Sequence, residues 1–196
     1  MGISPFIWNI ILLGPKHSGK TSTGRELAKL LGGPFIDLDE LIEAQTGKSP
    51  RALFKESPGV FQAAELRALE SLFVLRAVEG LAEGADSGVP QVIATGGGII
   101  DNAGARRLLL AEDGGFLVNL EVSAETAWER VSLEAVRSGE LPPFLDAENP
   151  REIHHLLHER RAAAYREIAR LTVSGEGRTP GEAGQEIFKA LGFFPG

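Results

Sequence analysis

The chain contains no cysteine, which excludes disulfide staples and thiolate metal sites. Long apolar runs are missing too. No stretch reaches the ~20 residues a membrane-spanning helix needs, and Met1 to Pro5 lacks the basic region and long apolar core of a signal peptide. A cytoplasmic protein with no membrane partner is therefore expected. Positive charge is in short supply, with 20 Lys and Arg against 27 Asp and Glu, a net charge of −7. That balance argues against nucleic acid as the main partner, because such surfaces carry an excess of Lys and Arg. What remains is ordinary for a globular protein: 43% apolar and 24% charged residues in 196, enough for one domain over residues 1–196 with a full core.

One stretch organises the rest. Gly14-Pro15-Lys16-His17-Ser18-Gly19-Lys20-Thr21 fits the phosphate-binding pattern G-x-x-x-x-G-K-[ST] without a mismatch. Before it, Ile10 to Leu13 is a short apolar run suited to a buried parallel strand. After it, Leu27, Ala28, Leu30 and Leu31 recur at helical spacing up to a Gly32-Gly33-Pro34 stop. The strand aims the loop, and the loop wraps a phosphate with backbone N–H groups at the positive end of the helix. In that arrangement Lys20 reaches the β- and γ-phosphates of a nucleotide and the Thr21 hydroxyl ligates Mg²⁺.

Further along, Pro34 to Asp39 predicts a second strand ending in Asp37 and Asp39, whose i, i+2 spacing on extended backbone points both carboxylates to one side. Asp39 is also placed to cap a helix from Glu40 to about Thr46. Pro50 to Ser57 reads as a short helix broken at Pro58-Gly59, and a longer one follows from Val60 to about Glu79. After an acidic, Gly-rich loop from Ala82 to Pro90, a strand Gln91 to Ala94 runs into Thr95-Gly96-Gly97-Gly98, where three glycines let the backbone approach another group closely. Asn102 caps a helix to about Leu110, Phe116 to Leu120 forms a fourth strand, and Ser123 opens another helix. The stretch from about Ser138 to Asn149 has little periodicity and predicts an exposed, mobile loop. A helix to about Arg170, a strand Leu171 to Ser174 and a helix from Thr179 to Ala190 complete the chain.

Five short strands alternating with helices predict a three-layer α/β/α fold around a five-stranded, mostly parallel sheet. Ligands bind such sheets beyond the C-terminal strand ends. The phosphate loop, Asp37, Asp39 and the glycine triplet all follow strands directly, so they are expected to meet on one edge.

These residues resemble the shikimate kinases, within the nucleoside-monophosphate-kinase-like group of P-loop proteins. The likeness covers nearly the whole chain in order: Gly14 to Thr21, Phe35 to Asp39 with Ile42-Glu43, Leu53-Phe54, Phe61 with Glu65, Gly96 to Gly98, and Arg161 four residues before Tyr165. It implies an enzyme that transfers the γ-phosphoryl of ATP to the 3-hydroxyl of shikimate with Mg²⁺, a small-molecule kinase, monomeric rather than oligomeric. Carried over by position, Gly14, Lys16, Ser18, Gly19, Lys20, Thr21 and Ser22 hold the nucleotide, with Arg130 against the adenine. Thr21 and, through water, Asp37 hold the metal. Lys20 and Asp39 are the catalytic pair, and Asp39, Gly97, Gly98 and Arg161 bind the substrate, Arg161 through its carboxylate. The stretch from about Ser138 to Asn149 corresponds to a lid that closes over ATP.

The resemblance breaks at three places. Gln62 stands where the family has an arginine that clamps the substrate carboxylate, Pro142 stands where its lid arginine reaches the transferring phosphate, and His17 occupies a position often glycine. The first change removes a charge-assisted hydrogen bond worth about 1.5–3 kcal/mol; the second removes a cation that can contribute on the order of 10³ in rate. Lys16, Arg67, Arg137 and Arg151 are the candidate substitutes. These departures keep two alternatives open, a kinase for another small hydroxy acid or polyol and a catalytically weak ligand-binding sensor module. Elsewhere, His154, His155 and His158 share one helix without the pattern of a zinc site and read as a solvated face, while Trp8 and Trp128 read as packing residues.

Overall fold

β1 (Asn9–Leu13) is buried at every residue, as a central strand covered by helices on both faces requires. In the computed structural model, which describes residues 9–81, 89–111, 115–145 and 147–192, β1 pairs in parallel with β3 (Gln91–Ala94) on one side and β4 (Phe116–Glu121) on the other. β2 (Phe35–Asp37) lies beyond β3 and β5 (Leu171–Ser174) beyond β4, giving the order β2-β3-β1-β4-β5. All four pairings are parallel, so every strand end that carries a site residue opens on the same edge. Trp8 and residues 82–88 of the expected loop lie outside the described residues.

Alternation along the strands splits the core in two. Ile11, Leu13 and Ile93 face α2 (Leu38–Thr46), α4 (Pro58–Leu81), α5 (Ala103–Leu109) and α7 (Pro150–Ile168), while Ile10, Leu12, Val92 and Val118 face α1 (Lys20–Leu31) and α8 (Pro180–Ala190). The fold is a three-layer α/β/α sandwich. α3 (Pro50–Glu56) packs on α4, and α6 (Ala124–Ser138) on α7. Among the described residues, no helix is long and apolar enough to cross a membrane.

Four local expectations need correction. The second strand stops at Asp37, not Asp39. The Asp37 carboxylate accepts the Asp39 N–H at 3.0 Å and is itself the cap of α2, which places Asp39 in the first helical turn. The break after the short helix holds, with α3 ending at Glu56, but the longer helix starts at Pro58, not Val60, because a proline at the first position lacks only an N–H that the helix would leave unpaired; the N–H groups of Val60 and Phe61 turn back to the Ser57 carbonyl.

The third correction concerns the lid stretch, which is not a freely exposed loop. Arg51 on α3 lies 2.9 Å from Glu140 and also donates to the Leu141 carbonyl; a 3₁₀ turn at Pro143–Leu145 buries Leu145. Asp146 lies outside the described residues. Finally, the histidine face is buried. His154 and His158 are 6% and 7% exposed between α6 and α7, with the His154 ring 5.4 Å from Trp128. Burial holds His154 down to about 4, so it packs as a neutral ring.

Candidate active site

The loop between β1 and α1 departs from ordinary backbone three times. Gly14 (φ 136°), His17 (φ 60°) and Gly19 (φ 98°) lie in the left-handed region, the mixed conformation that makes backbone N–H groups converge on an anion. At Gly14 the requirement is also steric, since a Cβ there would sit 2.3 Å from the Leu120 carbonyl. α1 starts without a side-chain cap, whereas α2, α3, α5, α6 and α8 each have one. Its first-turn N–H groups are thus left for a ligand. Ser18 Oγ is buried without a hydrogen-bond partner. A phosphate fits this cradle, its oxygens supplying the acceptors that the orphan donors lack.

Lys20 extends back along the loop. Its Nζ donates to the Gly14 carbonyl at 3.0 Å and the Pro15 carbonyl at 2.7 Å. Burial pushes the ammonium down to about 8, with Asp39 and Asp37 pulling it the other way. The Thr21 hydroxyl donates to Asp37 at 2.8 Å. This pairs a hydroxyl with a carboxylate, the hard oxygen donors that Mg²⁺ takes alongside phosphate and water. Among the described residues, no three His, Asp or Glu side chains form a protein-only metal cage. A hydroxyl and a carboxylate so paired would fit a Mg²⁺ whose other ligands are phosphate and water oxygens.

Asp39 is exposed to the cleft, where partial desolvation of its carboxyl, reinforced by Asp37, holds it above the usual range while Lys20 opposes. Beside it, a Cβ on Gly96 would lie 3.4 Å from Asp39 Oδ1 and 3.3 Å from Glu65 Oε1, so two carboxyl groups flank the start of the triplet. Glu65 is 1% exposed; it accepts from Asn102 at 2.9 Å through Oε2, and Oε1 has no partner. Burial pushes it up to about 7 against the Asn102 bond. Gly97 approaches the phosphate loop so closely that a Cβ would meet the Lys16 nitrogen at 2.5 Å. The Tyr165 hydroxyl, its pKa raised by burial, fixes the triplet by donating to the Gly97 carbonyl at 3.0 Å. Gly98 carries the Arg161 guanidinium, whose NH2 would lie 3.3 Å from a Cβ at that position.

A cleft of about 600 Å³ opens over these groups. It brings together Lys16, Ser18, Gly19, Lys20, Thr21, Ser22, Asp37, Asp39, Gly97 and Arg130. Gly14, Gly98 and Arg161 do not line it. Gly14 is buried under the loop, and Gly98 with Arg161 sits beside the triplet. Arg130 donates to the His17 carbonyl at 2.8 Å, which ties α6 to the loop. Of the candidate substitute cations, Lys16 and Arg137 line the cleft. Arg151 is turned to Glu125, both oxygens of which it contacts at 2.8 and 2.9 Å, and Arg67 is exposed outside the cleft.

Sequence reasoning missed Arg178 and Thr179, which also line the cleft. They follow β5, and the strand-end rule applied to β1, β2 and β3 would have found them there. Glu65 carried a signal as well, an acid on the apolar stripe of α4 one turn from Phe61 and Leu69.

The sequence pattern of the shikimate kinase family matches residues 16–192. The chain belongs to the shikimate kinase family. A shikimate kinase of Aromatoleum aromaticum is 33% identical over 183 residues, 93% of each chain, and one from Thioalkalivibrio sulfidiphilus is 36% identical over 91% of this chain and 84% of its own. Among solved structures, the shikimate kinase from Acinetobacter baumannii in complex with shikimate superposes with a TM-score of 0.77 at 31% identity, covering 95% of this chain and 94% of that one. The Gln62 carbonyl accepts from Asn102 at 2.8 Å, and Pro142 is buried at the start of the lid turn.

Proposed function

We propose that the chain transfers the γ-phosphoryl group of ATP to the 3-hydroxyl of shikimate. The observation that carries this reading is convergence: the phosphate loop, Asp39, Gly96 and Gly97 share one cleft, with Gly97 so near Lys16 that a Cβ would lie 2.5 Å from its backbone nitrogen. Donor and acceptor subsites are thereby juxtaposed, and phosphoryl transfer depends mainly on such positioning and on charge neutralisation.

In this reading the loop N–H groups and Ser18 receive the β-phosphate, and Lys20 exchanges its two loop carbonyls for phosphate oxygens. Phosphate contact favours the ammonium form and so reverses the effect of burial. Thr21 and, through water, Asp37 would hold Mg²⁺, which would supply neutralisation of the phosphate charge. Asp39, kept more basic than an ordinary carboxylate by local desolvation and the neighbouring Asp37, accepts a hydrogen bond from the attacking hydroxyl and takes its proton. Gly97 and Gly98 offer backbone N–H groups at the acceptor, and Arg161 pairs with its carboxylate through a planar fork of donors. Arg130 and Arg178 flank the nucleotide, and residues 139–145 cover it. The working form is a cytoplasmic monomer.

A coupled ADP-release assay tests the reading. Shikimate-dependent turnover is expected in the unaltered protein and a loss of at least 10³-fold in Lys20→Ala and Asp39→Asn, the scale of other single-group contributions to this chemistry. Turnover that survives both changes would remove these residues from the mechanism. Gln62, a neutral amide where the family carries a cation, favours running the same assay over other hydroxy acids and polyols; a better acceptor among them would move the substrate assignment and leave the kinase intact.

A further inference from the structure

Arg161 is not free to meet a substrate carboxylate, because another carboxylate already holds it. Asp101, the last residue of the 3₁₀ turn that follows the triplet (Ile99–Asp101), accepts from Arg161 Nε at 2.9 Å and lies 2.7 Å from its NH2. The same Asp101 receives Arg160 NH2 on both oxygens at 2.8 Å. The two arginines differ in exposure. The Arg161 side chain is 15% exposed and set between Gly98 and the Phe144 ring, whose centroid is 5.6 Å from Cζ. Arg160 is 61% exposed.

A guanidinium so enclosed needs a counter-ion when no ligand is present, and Asp101 supplies it. An incoming carboxylate would then put a second anion on one guanidinium, against Coulomb repulsion from the first. Asp101 takes up Nε and one terminal nitrogen of Arg161; among the described residues the other terminal nitrogen is left to donate to a ligand. Arg160 gives Asp101 somewhere to go, because an aspartate paired with an exposed, mobile arginine can leave the enclosed one without losing its own partner.

We infer that Asp101 is a specificity-determining residue: an internal stand-in for the substrate carboxylate, which it holds off Arg161 until that carboxylate displaces it onto Arg160. The inference rests on the shikimate reading above. It matters more in this chain because Gln62 leaves Arg161 as the one cation that reading assigns to the substrate carboxylate. The device sets a threshold on acid recognition. Weakly bound anions do not displace Asp101, and affinity for the true acid is reduced by the cost of the exchange.

The test is steady-state kinetics with shikimate and with its neutral methyl ester, supported by calorimetry of shikimate binding. Asp101→Asn keeps the shape and removes the charge. It is expected to lower KM for shikimate about tenfold, equivalent to 1.4 kcal/mol, with kcat within about twofold and KM for the ester unchanged. Arg160→Ala removes the alternative partner and is expected to raise KM for shikimate several-fold, an effect that disappears in the Asp101→Asn background. An unchanged or raised KM in Asp101→Asn overturns the inference, as does an equal gain with the ester. If the unaltered protein binds ADP but gives neither turnover nor binding heat with shikimate, the parent reading has failed and this one falls with it. Turnover without a gain in Asp101→Asn removes this inference alone.

Discussion

Lys20 and Glu65 are both held away from their ordinary titration, and each gives a measurable pH dependence. Lys20 is down at about 8 in the ligand-free protein because its ammonium is buried. A bound phosphate requires the charged form, so nucleotide affinity is full below pH 8 and weakens above it, by up to about tenfold per unit as the free-state ammonium deprotonates. ADP titrations from pH 7 to 9.5 are expected to show this slope and to lose it in Lys20→Met; a flat profile in the unaltered protein would remove Lys20 from the phosphate site. Glu65 is displaced the other way, up to about 7, chiefly by burial. Between the ordinary carboxylate value of 4.5 and 7, the folded state keeps a proton that the unfolded state has released. Stability from this group is therefore present at low pH and lost as pH rises through 7, by as much as ~3 kcal/mol for the whole shift. Glu65→Gln keeps an acceptor for Asn102 without the charge. Urea unfolding at pH 5.5 and 8 is expected to show the variant gaining on the parent at the higher pH, and parallel stabilities at the two pH values would contradict it.

At the scale of elements, the site depends on how closely the turn after β3 approaches the turn after β1. Gly97→Ala places a methyl against the Lys16 backbone nitrogen, which cannot swing aside like a side chain. We expect kcat/KM for ATP to fall at least tenfold and stability to drop by ~1–3 kcal/mol, the ordinary cost of overpacking. Gly96→Ala, whose nearest neighbours at 3.3 and 3.4 Å are the ends of carboxylate side chains, is expected to be milder in a thermal melt. Equal melts for the two variants would mean that backbone approach at Gly97 is unimportant. Much of this was legible beforehand. The loop pattern, the strand before it and the triplet at a strand end fixed which turns meet, because parallel strands put all their C-terminal ends on one edge. What eluded the sequence depended on side-chain partners. The i, i+2 argument for Asp37 and Asp39 assumed extended backbone, but the Asp37 carboxylate caps the helix two residues early. The histidines of α7 read as solvated because their own helix carries many charges, whereas α6 and Trp128 cover them.

For the molecule as a whole, the sheet order, the two-sided core and the family match agree on a kinase scaffold, while the identity of the acceptor depends on a few residues beside it. On the proposed reading, Gln62, Pro142 and the Asp101 pairing of Arg161 would each weaken cationic recognition of substrate and phosphate. Lys16 and Arg137, which line the cleft, are the charges available to offset the loss at the phosphates. A working kinase whose affinity for its acid substrate is restrained is therefore expected, and product identification tests that most directly. Protein incubated with ATP, Mg²⁺ and millimolar shikimate, followed by ³¹P and ¹H NMR, is predicted to give ADP and one phosphomonoester, coupled to the proton at carbon 3 of shikimate. ADP with free phosphate and unmodified shikimate, or a mixture with no change in ATP, would contradict it.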